Sequence, residues 1–113
     1  MNLTFRDIYE GKDLQAWVSA LAGKSGVYVI REKGIFLTPI LYVGESHTNN
    51  LKKTLLRHFQ HWKGATAGNT YARSKVEVAV LKTRSANAVE LQNALIHDLD
   101  PRDNINEKPR WFS

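Results

Sequence analysis

Gly26-Val27-Tyr28-Val29-Ile30-Arg31 and Ile40-Leu41-Tyr42-Val43-Gly44 are the two stretches on which the fold turns. Both are rich in β-branched and aromatic residues, so both read as strands, and the Lys33-Gly34 region between them joins them as a long hairpin. Neither run alternates polar with apolar. A strand that is apolar on both faces is covered on both faces, so helices are expected on either side of the sheet.

Working outward, the residues before the hairpin supply one helix: Asp13 is placed to cap it, Leu14, Trp17, Val18 and Leu21 recur at i, i+3, i+4 and i+7, and Gly23 ends it. After the hairpin, Leu51, Leu55, Phe59 and Trp62 fall at helical spacings from Asn50 onward, with basic residues between them. The small and polar run 64–70 is a loop, and Val76 to Leu81 a third strand. Ser85 caps a last helix, from Ala86 to about Leu99, with Leu91, Leu95 and Leu99 toward the core and Pro101 ending it. Trp111 and Phe112 are expected to dock their tail onto the domain. The expected class is α/β of the α+β kind, a small three-stranded antiparallel sheet flanked on both sides by helices.

Composition sets the frame for function. The chain has 113 residues, 42% of them hydrophobic, and suits one small domain; folding a chain of this size hides roughly two-thirds of its unfolded surface. It has no cysteine, so stability rests on packing, and any metal must sit on oxygen or imidazole. No run approaches the roughly 20 apolar residues that span a bilayer, and the first residues have no apolar core of a signal peptide, so a cytoplasmic, non-membrane setting is expected. The net charge of +5 is concentrated: between Lys52 and Arg84 stand Lys52, Lys53, Arg57, Lys63, Arg73, Lys75, Lys82 and Arg84 against the one acid Glu77. That third of the chain holds +7 while the rest is slightly acidic, which points to a polyanionic partner, with a solvated face as the plainer reading.

With Gly26-Val27-Tyr28, Tyr42-Val43-Gly44, the pair Arg57 and His61 four residues apart, and Pro101-Arg102-Asp103-Asn104 in this order, the chain resembles the GIY-YIG nuclease superfamily over roughly residues 26–105, with residues 1–25 as a helical extension of one domain, 1–113. The short tripeptides alone would recur by chance in many sheets; the ordered set is the specific signal. The resemblance implies a DNA endonuclease, RNA being open as a substrate, that hydrolyses phosphodiester bonds with one divalent ion, Mg2+ or Mn2+. It places Tyr28, Tyr42, Arg57, His61 and Asn104 in the catalytic site, Tyr28 orienting or deprotonating water, Arg57 holding non-bridging oxygens, Tyr42 and His61 lining the site and Asn104 tying the tail to it. Lys52, Lys53, Lys63, Arg73 and Lys75 would track the phosphates. His47 and His58 read as structural or surface residues.

Two positions depart from the family pattern. Gln92 stands where the family has a metal-binding glutamate, and Glu90, about 200° away around the helix, cannot replace it. Glu45 directly follows Tyr42-Val43-Gly44, where the family has a small or basic residue. One reading makes Glu45 the metal's negative ligand with Gln92 adding a carbonyl oxygen; the other makes Glu45 a loop or cap residue. A binding module that has lost cleavage is the alternative function.

Overall fold

The structure is a computed structural model that describes residues 2–34, 38–59 and 70–104. Its centre is a three-stranded antiparallel sheet of β3 (Gly26–Glu32), β4 (Ile40–Ser46) and β5 (Val76–Lys82), ordered β4-β3-β5. The two runs that looked like a hairpin pair as one, with Tyr28 opposite Gly44 and Ile30 opposite Tyr42. The third strand lies on the other side of β3, Tyr28 opposite Val80.

Alternation along β3 divides the core in two. Tyr28 and Ile30, with Tyr42 and Val78, face one layer, where Ile8, Val18, Leu21, Leu51 and Leu55 complete the packing. Val27, Val29, Val43 and Ala79 face the other, against Leu95 and Ile96 of α3 (Ser85–Leu99). Both faces are covered, as the unbroken apolar runs require, and each fully buried Val, Leu or Ile contributes about 1.5–3 kcal/mol over leaving it in water. The register slips between Ile30 and Arg31, so that β4 spends an extra residue there. That bulge lets adjacent Leu41 and Tyr42 both enter the first layer.

The region before the sheet corrects the helix expected from Asp13 to Leu21. Asp13–Leu14 is instead β2, paired with β1 (Tyr9–Glu10) across a turn in which Gly11 takes φ +62°, and the helix α1 is only Ala16–Ser19. Val18 and Leu21 still reach the core. The apolar spacing was satisfied by a hairpin followed by one helical turn, because Gly11 offered a left-handed turn that the periodicity could not register. The second helix also falls short: α2 is Leu51–Leu56, followed by a 3-10 turn, Arg57–Phe59. The third matches its expected span within a residue, ending at Asp100 in a left-handed conformation before Pro101.

Both open sheet edges are partly covered. Arg6 exchanges two backbone hydrogen bonds of 2.9 Å with Val78 on β5. On β4, the amides of Arg102 and Asp103 donate to Ile40 and Leu41 carbonyls, and then the side chain of Asn104 takes over. Its Oδ1 accepts from the Val43 amide at 2.8 Å and its Nδ2 donates to the Val43 carbonyl at 2.7 Å. Asn104 is fully buried and copies the hydrogen bonding of a neighbouring strand.

Candidate functional site

Tyr28 and Tyr42 come from neighbouring strands but share one face, because residues directly opposite in an antiparallel pair share a face and Tyr28 sits two residues from Ile30, the partner of Tyr42. Their rings stack with centroids 6.2 Å apart. The space for Tyr28 is made by Gly44: a Cβ there would overlap the Tyr28 ring and hydroxyl. The glycine of Tyr42-Val43-Gly44 is therefore the seat of the tyrosine of Gly26-Val27-Tyr28. Gly26 has a similar reason, since a Cβ would overlap the Leu81 carbonyl of β5.

The 3-10 turn then brings down a residue that the sequence reading set aside. The His58 Nε2 lies 2.7 Å from the Tyr28 hydroxyl. Its ring is 4.5 Å from Tyr42, 5.4 Å from Tyr28 and 6.0 Å from Tyr71, centroid to centroid. Tyr71, just before β5, is anchored there because its amide donates to the His58 carbonyl at 2.7 Å. Its hydroxyl donates to Asp103 at 2.7 Å. Burial, reinforced by that carboxylate, pushes the Tyr71 hydroxyl far above the ordinary tyrosine value, so it stays protonated. Asp103 is held below the usual carboxylate range chiefly by hydrogen bonds from Arg102, with Tyr71 adding to them. The result is an imidazole between three tyrosines, backed by one ionised carboxylate. His58 and Tyr71 were both missed. The available signal was weak: a histidine beside Arg57 at the point where an α-turn tightens to 3-10 points differently from its place on an ideal helix.

Of the residues the resemblance names, Tyr28 and Tyr42 meet. Tyr28 is 2% exposed and Tyr42 8%, so both are largely core residues here. Arg57 is exposed on the turn that delivers His58. Asn104 is next to this group through Val43, the neighbour of Tyr42, but its side chain is consumed by backbone. His61 lies outside the described residues, as do Lys63, the run 64–69 and the Trp111-Phe112 tail. Lys52 is half-buried, while Lys53, Arg73 and Lys75 are exposed, Arg73 placing its guanidinium 4.3 Å from the Tyr9 ring centroid.

Glu45 and Gln92 stand apart from the tyrosines. Glu45 pairs with Val27 and so leaves the sheet on the α3 face, opposite to Tyr28 and Tyr42. Its carboxylate meets His47 Nδ1 at 3.0 and 3.1 Å. Gln92 is half-buried on α3, which packs on that same face. Among the described residues no three His, Asp or Glu side chains gather as a metal-holding group. Glu45 and Gln92, the two metal ligands expected from the sequence, are thus not among the side chains brought to the tyrosine cluster. No family model matches the chain, and no curated protein matches it.

Proposed function

We propose that this chain is a GIY-YIG-like domain that acts on DNA as an endonuclease, hydrolysing phosphodiester bonds. The observation that supports this best is the meeting of Tyr28, from β3, and Tyr42, from β4, under the turn that begins with Arg57. A sheet needs tyrosines on one face only to fill its core. It has no packing need for a histidine, preceded by an exposed arginine, to be delivered against the same pair from a separate helical element. The basic stretch from Lys52 to Arg84 supports a polyanionic partner, since Lys and Arg neutralise phosphates and release counterions.

In this reading the chain's own residues bind and orient. Arg57, exposed beside the cluster, offers a planar guanidinium to two non-bridging phosphate oxygens. Lys52, Lys53, Arg73 and Lys75 hold the backbone to either side. The ion implied by the resemblance, Mg2+ or Mn2+, would polarise the phosphate and leaving oxygen.

A second reading is favoured by one observation, the placement of Glu45 and Gln92 behind the sheet: a nucleic-acid-binding module on the same scaffold that does not cleave. A gel-shift and plasmid-nicking assay, run with EDTA and across a Mg2+ and Mn2+ titration, separates the two. Binding with ion-dependent nicking that is lost in Arg57→Ala is the expected result. Binding without nicking under any condition establishes the module, and no binding at low salt overturns both.

A further inference from the structure

We propose that Arg6 and Arg73, each laid over an aromatic ring of the segment before the sheet, form a second phosphate-binding patch, so that a DNA duplex is gripped at both ends of the layer that holds Tyr28 and Tyr42. The inference rests on the nucleic-acid reading above and deepens it, since Arg6 lies outside the basic stretch of the sequence and within the extension that the resemblance does not cover.

The segment from Arg6 to Trp17 is built against β5 and the first core layer. Arg6 exchanges backbone hydrogen bonds with Val78, and residues directly opposite in an antiparallel pair share a face, so its side chain leaves on the side of Val78 and Tyr28. There its guanidinium carbon lies 4.4 Å from the centre of the Trp17 ring. That ring is fixed in turn by its indole N–H, which donates to the Asp7 carbonyl at 3.0 Å. Arg73, on the way into β5, lies 4.3 Å from the centre of the Tyr9 ring of β1. Trp17 and Tyr9 both pack against the same core layer.

Both arginines are exposed, and among the described residues neither has a carboxylate partner. The acid next to Arg6 is taken elsewhere, because Asp7 pairs with Lys33 at 2.6 Å. A third arginine shows the contrast. Arg31 lies over Phe5 at 3.8 Å, but its guanidinium is held by Glu77 at 2.6 Å. An arginine seated on a ring gains a cation–π contact and loses less freedom on binding, while its planar set of N–H donors matches phosphate oxygens. The arginine also closes that face of the ring to a stacking base. The patch therefore suits backbone phosphates and carries no sequence preference.

The placement is opposite to that of the helix lysines. Lys52 and Lys53 line a recess with Ala22 and Gly23, ahead of Gly26 where β3 starts. Arg73 precedes Val76, the partner of Glu32 at the other end of β3. A seven-residue strand is roughly 20 Å long, about the rise of six base pairs at 3.4 Å each. Tyr28 lies between these ends. One duplex backbone can thus meet the lysines, the tyrosine layer and the arginine patch in turn.

The test measures binding of two fluorescein-labelled DNA duplexes of unrelated sequence against salt, for the natural protein, Arg6→Gln, Arg6→Lys, Arg6→Gln with Arg73→Gln, and Lys52→Gln with Lys53→Gln. Each lost phosphate contact lowers the slope of log K against log salt by about 0.9. Arg6→Gln should show that loss, the arginine pair up to about 1.8, and Arg6→Lys little change, equally on both duplexes. On the natural protein, which needs no variant to fold, the side-chain Nε–H NMR signals of Arg6 and Arg73 should move as duplex is added. A slope that survives in the arginine pair while Lys52→Gln with Lys53→Gln lowers it overturns the patch and leaves the nucleic-acid reading standing. A lowered slope with both Nε–H signals unmoved also overturns it, because net charge and not contact is then the cause. No binding by the natural protein at low salt removes the nucleic-acid reading itself.

Discussion

Gly44 shows how a single missing side chain can define a site. The Tyr28 ring occupies the place of its Cβ, so Gly44→Ala must displace a nearly fully buried tyrosine and with it the bond to His58. Overpacking of this kind typically costs about 1–3 kcal/mol, and a urea melt should show it as a lower midpoint with an unchanged slope. Tyr28→Phe is milder: it keeps the ring and deletes the hydrogen bond to His58, a bond of a kind worth about 0.5–1.5 kcal/mol, so the two variants should rank in that order. Glu45 and Gln92 give a third expectation at this scale. Because both belong to the α3 face, Gln92→Glu should leave nicking and its Mg2+ or Mn2+ dependence within about twofold, and Glu45→Ala should do the same. Loss of nicking in Glu45→Ala would show instead that the carboxylate reaches the scissile phosphate. For the sequence, these positions were legible as a pattern and not as a direction: Glu45 follows the motif directly, yet one step along a strand turns a side chain through to the opposite face.

At the scale of elements, the segment after α3 finishes the sheet. Asn104 satisfies both backbone groups of Val43, and a buried amide or carbonyl left without a partner costs about 1–3 kcal/mol. Asn104→Ala should therefore destabilise by more than either single hydrogen bond, and hydrogen exchange should locate the loss at the Val43 amide. The neighbouring Asp103 gives a pH prediction. Its pKa is depressed in the folded state by Arg102 and Tyr71, so its contribution is complete above the unfolded value of about 3.9 and is lost as pH falls through the lower folded value. Asp103→Asn should lower stability at neutral pH and flatten the acid limb of the stability curve below about pH 4, read from thermal melts. An unchanged acid limb would place the Arg102–Asp103–Tyr71 chain outside the stability of the fold. The sequence marked this segment through Pro101 and Asn104, while the pairing of Tyr71 with Asp103, 32 positions apart, depended on where two separate segments cross.

For the molecule as a whole, the asymmetry of charge is the property that a partner would meet first. Basic residues in the stretch from Lys52 to Arg84 outnumber acids by seven, and replacing Lys52 and Lys53 together with Gln should reduce the salt slope of DNA binding by up to about 1.8 if each neutralises a phosphate. An unchanged slope would remove nucleic acid as the reason for the basic stretch. Stability should change little, because the helix they belong to is held by Leu51 and Leu55 on its buried side. No helix among the described residues is long and apolar enough to cross a membrane.

The sequence alone determined the central sheet and its two covered faces, because apolar β-branched runs have few other ways to be buried, and it determined the span of the last helix, although Ser85, expected as its cap, is its first residue and lies against Ser25 instead. That Tyr28 and Tyr42 share a face follows from the register, Ile30 opposite Tyr42, which the hairpin alone does not set. Tertiary structure decided the rest. The stretch from Asp13 to Leu21 fits either a helix or a hairpin with one helical turn, and only the packing of Ile8 and Val18 under the sheet selects between them. Among the described residues the histidine at the cluster is His58, which the tightening of α2 into a 3-10 turn carries onto the tyrosines. A local pattern fixes how often a residue faces the core, but the angle at which it arrives is set by the elements it packs against, and those are distant in sequence.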